Sequence, residues 1–355
     1  MKNKIAFQSE KILSILLFLV LGILLFSGCK NKENAAKEIQ PAKGVSIAVF
    51  IPGVMAGSPI YEMLADGTKK AAEDFAVTAG VPAPEVTVIE GGFIQADWET
   101  QVTTLAASGT YDLLVSSNPS LPEIVSSVSA KFPKQKFLLL DGELAGNPNV
   151  YTLRYNQREQ AYMAGYIAAL VSLEEKASVK RIGLVAAQEY PVMNNVILPG
   201  FTEGAGAVDP GFSVDFRVVG NWFDAAKAAE LAAGMIRAGV KVLLPIAGGA
   251  GTGVIQAASE AGAKLVWFDT NGYAQRPGTI IGSAILRQDR AAYEKVLLYL
   301  KGSLPFGQAE IAGIKDGYID FVEDDPLYIA AVSQAVREKQ AALIARLRSG
   351  ELRLD

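Results

Sequence analysis

From residue 45 onward, short continuous apolar runs alternate with longer stretches that are apolar on one side only. Residues 45–51 form such a run, closed by Pro52-Gly53. A run without polar alternation reads as a strand buried on both faces. After it, Leu64, Thr68, Ala71, Ala72 and Phe75 recur at helical spacing. Strands are predicted again at 86–89, 113–116, 137–140 and 150–153, with helix-like stretches between them. This alternation predicts a parallel sheet with helices on both faces.

A second series follows Arg154. Asn156 with Glu159 three residues on makes a capping box, and Ala161, Ala164, Gly165 and Ala168 let the helix behind it pack closely. Strands are expected at 182–186, 214–219, 242–246 and 265–268. Two similar series predict an α/β protein of two lobes. The boundaries are 45–154 plus about 284–312 for one lobe, and 155–283 plus about 313–355 for the other. The expected hinge crossings lie near Arg154, near Ser283 and after Ala312.

In open parallel sheets, ligands sit beyond the carboxyl ends of strands, so candidate site residues are read there. The first half offers Ser58 and Tyr61, then Asn118 in Ser116-Ser117-Asn118-Pro119. Asn118 carries a donor and an acceptor suited to a heterocycle edge, and equally suits a helix cap. The second half offers Tyr190, then Asn221-Trp222-Phe223-Asp224, then the glycine loop from Gly248 and Gly249 to Gly253, then Asp269. Trp222 at a strand–helix junction is placed to stack on a planar ligand, a contact of about 1–3 kcal/mol per base in nucleic-acid systems. Its other reading is a core plug. Asp269 can accept from two hydroxyls of a ribose or ribityl chain, or cap the turn at Asn271-Gly272. Trp98 and Trp267 read as structural. The spacing Gly249-x-Gly251-x-Gly253 does not match a dinucleotide fingerprint and fits a loop that lets ligand or backbone approach closely.

The N-terminus changes the picture. Lys2, Lys4 and Lys11 precede an apolar run over 12–26, which is signal-peptide length and short for a membrane span. It ends in Leu25-Phe26-Ser27-Gly28-Cys29, which resembles a bacterial lipobox with Cys29 as the lipidated residue. The expectation is a signal segment over 1–28 and a flexible polar tether over 29–44, holding an exported body on the cell membrane.

Composition narrows the chemistry. The 355 residues include no histidine and one cysteine, which excludes Ser-His-Asp chemistry, an internal disulfide and a cysteine metal cluster. No metal site is expected. A net charge of −4 gives no general reason to bind nucleic acid. Asp141, Asp224 and Asp269 are carboxylates with no base, nucleophile or metal partner in the sequence, so no catalytic constellation forms and binding is favoured over an enzyme.

From about residue 45 to the end, the chain resembles the basic membrane protein family of lipoproteins, which includes purine nucleoside receptors linked to transporters. The resemblance rests on the stretch Tyr155 to Ala168 and on Phe201 to Ala205, Gly220 to Asp224, Ala247 to Val254 and Asp269. It implies the type I periplasmic-binding fold and an ABC permease as partner. Nucleoside-binding members carry Asp-x-Ser-Phe-Asn after the first strand, where this chain has Gly57-Ser58-Pro59-Ile60-Tyr61. A family lysine falls near Leu286 and Arg287. These variants, with Trp222 and the segment 267–274, look like the riboflavin-uptake lipoproteins of the family. That resemblance implies riboflavin as a transported ligand rather than a cofactor, sandwiched between Tyr61 and Trp222. Asn118, Asn156 and Asn221 would read the ring edge, with Asp269 and Arg287 on the ribityl chain and Tyr155, Tyr190, Gly248 and Gly249 nearby. The alternatives are a purine nucleoside in the same machine and an exported enzyme acting on a nucleotide. A sugar-responsive regulator would need a DNA-binding headpiece ahead of residue 45.

Overall fold

Each expected apolar run forms a strand, and those at sheet centres are enclosed on both faces. In the computed structural model, which describes residues 44–354, β1 (Ser46–Ile51), β3 (Leu113–Ser117) and β8 (Val242–Ile246) are buried along their whole length. The expected signal segment, Cys29 and the tether up to residue 43 lie outside the described residues.

The first lobe contains β1, β2 (Glu85–Glu90), β3, β4 (Lys136–Leu140), β5 (Val150–Tyr155) and β11 (Ala309–Ala312), in the order β11-β5-β4-β3-β1-β2. All its pairings are parallel. The second contains β6 (Arg181–Ala186), β7 (Ser213–Val218), β8, β9 (Lys264–Asp269), β10 (Ile280–Leu286) and β12 (Ile319–Phe321), in the order β12-β10-β9-β8-β6-β7. Only the edge pair β10–β12 is antiparallel. The two sheets therefore share one topology, matching a type I periplasmic-binding architecture.

Helices cover the sheets. In the first lobe these are α1 (Pro59–Ala79), α2 (Gln95–Ser108) and α3 (Leu121–Lys131). In the second they are α4 (Gln157–Glu174), α5 (Leu198–Val208), α6 (Ala225–Arg237) and α7 (Gly251–Ala261). Then α8 (Gln288–Leu300) returns to pack on α1, and α9 (Pro326–Ala331) and α10 (Gln334–Ser349) close the second lobe. Small residues set the α4–α5 distance. A Cβ at Gly165 would lie 2.0 Å from the Phe201 carbonyl oxygen, and one at Gly204 would lie 2.1 Å from that of Tyr162.

The chain passes between lobes at Asn156, at Arg287 and along 313–318. Backbone bonds tie the three passages together: Asn156 donates to Ala312, and Arg287 donates to Tyr318. The Glu159 carboxylate accepts from the Ile314 N–H at 2.8 Å. Ser283 lies not at a crossing but inside β10, fully buried, where its hydroxyl accepts from the Gly272 N–H. The passage comes at Arg287, after β10 has joined the second sheet.

Candidate functional site

The strand ends of the two sheets bring a pair of carboxylates to the floor of the interlobe cleft. Asp141 follows β4 in one lobe and Asp269 ends β9 in the other. Both hold left-handed backbone, φ 55° and 71°, a conformation a non-glycine residue adopts where surrounding structure enforces it. Both are half-buried. Desolvation pushes Asp141 up to about 7, with the charge of Asp269 adding to the rise and Arg154 opposing it. Desolvation likewise lifts Asp269 to about 6, against the hydrogen bond it receives from Gln160. That bond, Gln160 Nε2 to Asp269 Oδ1, is 3.0 Å, and the same nitrogen donates to the Ala284 carbonyl at 2.9 Å. The turn after Asp269 is tied instead by Asn271 and Ser283. Asp269 is thus left to face the cleft rather than cap its own turn.

The phenol of Tyr190 lies in the field of both carboxylates and is raised, mainly by burial. Its ring meets that of Trp222 at 6.3 Å between centroids, tilted by 40°. Trp222 is 40% exposed, too open for a core plug. Its seat is built by the glycine loop. The Ala250 N–H donates to the Trp222 carbonyl at 3.0 Å, and a Cβ at Gly248 (φ 55°) would lie 3.2 Å from the indole. Gly248 and Gly249 therefore admit the tryptophan's own backbone and ring, not a pyrophosphate.

Across the cleft, Tyr61 packs on Gly53, where a Cβ would approach its ring to 3.1 Å. Its hydroxyl donates to the Pro52 carbonyl at 3.0 Å and accepts from Asn118 Nδ2 at 3.4 Å. Asn118 Oδ1 accepts from the Ser120 N–H at 2.9 Å, so the amide serves the turn into α3 as well as Tyr61. Ser58 precedes α1 and its carbonyl accepts from the N–H groups of Tyr61 and Glu62.

Several expected ligand residues have their polar atoms engaged within the protein. Asn156 caps α4 through the Glu159 N–H and donates to the Leu354 carbonyl at 2.8 Å, so both ends of its amide are used. Tyr155 is 1% exposed and its hydroxyl donates to Gln288 Oε1 at 2.6 Å, locking one crossing to another. Asn221 Oδ1 accepts from the N–H groups of Phe223 and Asp224, which shapes the loop carrying Trp222. Arg287 pairs with Asp289 at 3.3 Å beside the crossing, whereas the partner of Asp269 is Gln160. Asp224 is the exposed cap of α6, apart from the carboxylate pair. Trp98 and Trp267 donate to Gly92 and Thr270, within their own lobes. Sequence reading missed Gln160. Gln160 falls four residues into its helix from the cap, a position that turns inward, and this spacing was the available signal.

Among the described residues no group of side chains is arranged to hold a metal ion, and no helix is long and apolar enough to cross a membrane.

Comparison with known proteins places the whole body in one class. The family model Bmp, described as "ABC transporter substrate-binding protein PnrA-like", matches residues 44–353. The ABC transporter nucleoside-binding protein BmpA of Lactococcus lactis is 30% identical over 177 residues, covering 48% of each chain. Basic membrane protein A1 of Borrelia garinii is 22% identical over 316 residues, covering 87% of this chain and 88% of its own. The matched segment spans less than half the length of the curated relatives that align at 29–30% identity. Among solved structures, a solute-binding protein of an ABC transporter system from Aeropyrum pernix superposes with a TM-score of 0.74 at 22% identity, covering 88% of this chain and 93% of its own. That likeness speaks for the fold.

Proposed function

This chain belongs to the Bmp family of ABC transporter substrate-binding proteins, and from that premise we propose that it captures riboflavin by hinge closure and delivers it to an ABC permease. The family is one of binding proteins, not enzymes. The observation that carries the ligand reading is Trp222. It is a partly exposed indole seated on Gly248 and backed by Tyr190, whose hydroxyl lies in the field of Asp269 and Asp141. A flat three-ring system stacks on the indole with more area than a purine, and a chain of hydroxyls suits acceptors such as Asp269. Cys29 is the lipid attachment site in this reading, and the body works outside the cell on the membrane surface.

A purine nucleoside is the second reading, favoured by the Lactococcus relative that is named a nucleoside-binding protein. One titration separates the two. After unfolding and refolding the protein to strip any carried ligand, riboflavin should quench its flavin fluorescence saturably, and inosine should compete poorly. Trp222→Ala should weaken riboflavin by about 1–3 kcal/mol, roughly 5- to 150-fold. Saturable inosine binding without flavin quenching would put the nucleoside first.

A further inference from the structure

The three interlobe passages all lie at one edge of the two sheets, among β5, β10, β11 and β12. The opposite edges are β2 and β7. Each of those edge strands runs into a glycine-containing loop that enters a helix, and each loop places a phenylalanine two residues before that helix: Phe93 before Gln95 and Phe223 before Ala225. The two side chains come from different lobes and are 70% and 67% exposed, yet their rings meet edge to face at 6.3 Å and 63°.

We propose that Phe93 and Phe223 form a latch across the mouth of the cleft, which does not touch the ligand but sets how long it stays. The proposal rests on the binding reading above for its ligand, and on the lobe geometry alone for the latch. Four inter-strand steps separate the hinge-side strands β5 and β10 from β2 and β7, an arm of about 19 Å at the usual spacing. Opening by about 15° over that arm parts the rims by about 5 Å, which takes the ring pair beyond the 4.5–7 Å range where aromatic edges attract. A contact at this place therefore exists only when the cleft is shut. Phe223 also adjoins Trp222, whose carbonyl and ring are fixed by Ala250, Gly248 and Tyr190, so the lobe-two half of the latch is held at the ligand's own seat. Ligand enters the open form, in which the contact is absent, so the contact slows release from the closed form and leaves the entry rate little changed.

The test uses the full chain carrying Cys29→Ser, with Phe93→Ala, Phe223→Ala and the double variant. Riboflavin release, with inosine in parallel, is followed by stopped-flow. Each single change should speed release about 2- to 10-fold, with entry rates within about twofold, and the double variant should release no faster than the faster single one. Equal release in all four proteins overturns the latch, as does an additive double variant. A ligand-free measurement separates this outcome from failure of the ligand reading. With Phe93→Cys and Phe223→Cys in the same background, a short bismaleimide should link the two sites within one chain. If neither riboflavin nor inosine binds, the ligand reading falls and the cross-link alone decides. Absence of the cross-link overturns the latch.

Discussion

Asp141 and Asp269 show how much a single side chain's surroundings decide. Both are aspartates at the carboxyl ends of strands, both sit in left-handed backbone, and both are lifted by desolvation, to about 7 and about 6. A carboxyl with a raised folded-state pKa holds its proton more tightly folded than unfolded. Its contribution is then most favourable below the unfolded value of about 3.9 and is lost as pH rises through about 6–7. The thermal midpoint of the ligand-free protein should accordingly fall between pH 4 and pH 8 through this pair, and Asp141→Asn should flatten that fall. The check is a midpoint series across that range; a parallel fall in both proteins would show that the pair does not titrate together. At the same scale, Asn156 is an amide consumed by a cap and by the Leu354 carbonyl. Asn156→Ala should cost about 1 kcal/mol of stability by denaturant titration while leaving riboflavin affinity unchanged, the result expected of scaffold rather than ligand reader.

Among elements, the loop from β8 into α7 departs most from what its glycines suggest. Gly253 packs α7 against α6, where a Cβ would lie 1.8 Å from the Ala225 carbonyl, and Gly248 seats Trp222. No phosphate enters into either requirement. Gly248→Ala places a side chain in left-handed backbone and 3.2 Å from the indole. Two penalties follow, about 1–2 kcal/mol of backbone strain and a displaced ring. The expected outcome is weaker ligand binding with a smaller loss of stability, read by titration beside a melting curve. Helix α4 works differently. Its inward face carries Gln160 to Asp269 and its Glu159 to the crossing at Ile314, so one helix links the ligand floor to the hinge.

For the molecule as a whole, two sheets of the same order, joined by three passages at one edge, make a hinge whose soft direction opens the opposite edge. The passages are bonded to one another rather than to a lobe's interior alone, as Tyr155 to Gln288 illustrates. Closure on a ligand should therefore be a rigid-body rotation. Small-angle scattering should show a smaller radius of gyration on adding riboflavin, and none of that compaction with a ligand that does not bind; no change at saturation would remove hinge closure from the mechanism.

The sequence by itself determined the strands. Nine of them were legible, the central ones as apolar runs because a strand covered on both faces does not alternate, and the half-buried edge strand β7 by its alternation Val214-Asp215-Phe216-Arg217-Val218; the paired series already implied two lobes. It also determined the cap at Asn156, the close packing at Gly165 and the ring at Trp222, since each depends on local spacing. Strands β11 and β12 were not legible because they are short edge strands whose identity comes from the partner strand, and β10, a buried inner strand, was missed where Gly282-Ser283 interrupt its apolar run. Only the tertiary structure decided which polar residues remain available to a ligand. Asn156 and Tyr155 have the right chemistry but are used by neighbours far along the chain, Leu354 and Gln288, while the Arg287 guanidinium pairs with Asp289 beside the crossing. It alone also brought Asp141 to Asp269 and Phe93 to Phe223, because pairs drawn from two lobes meet through the hinge and carry no spacing in the sequence.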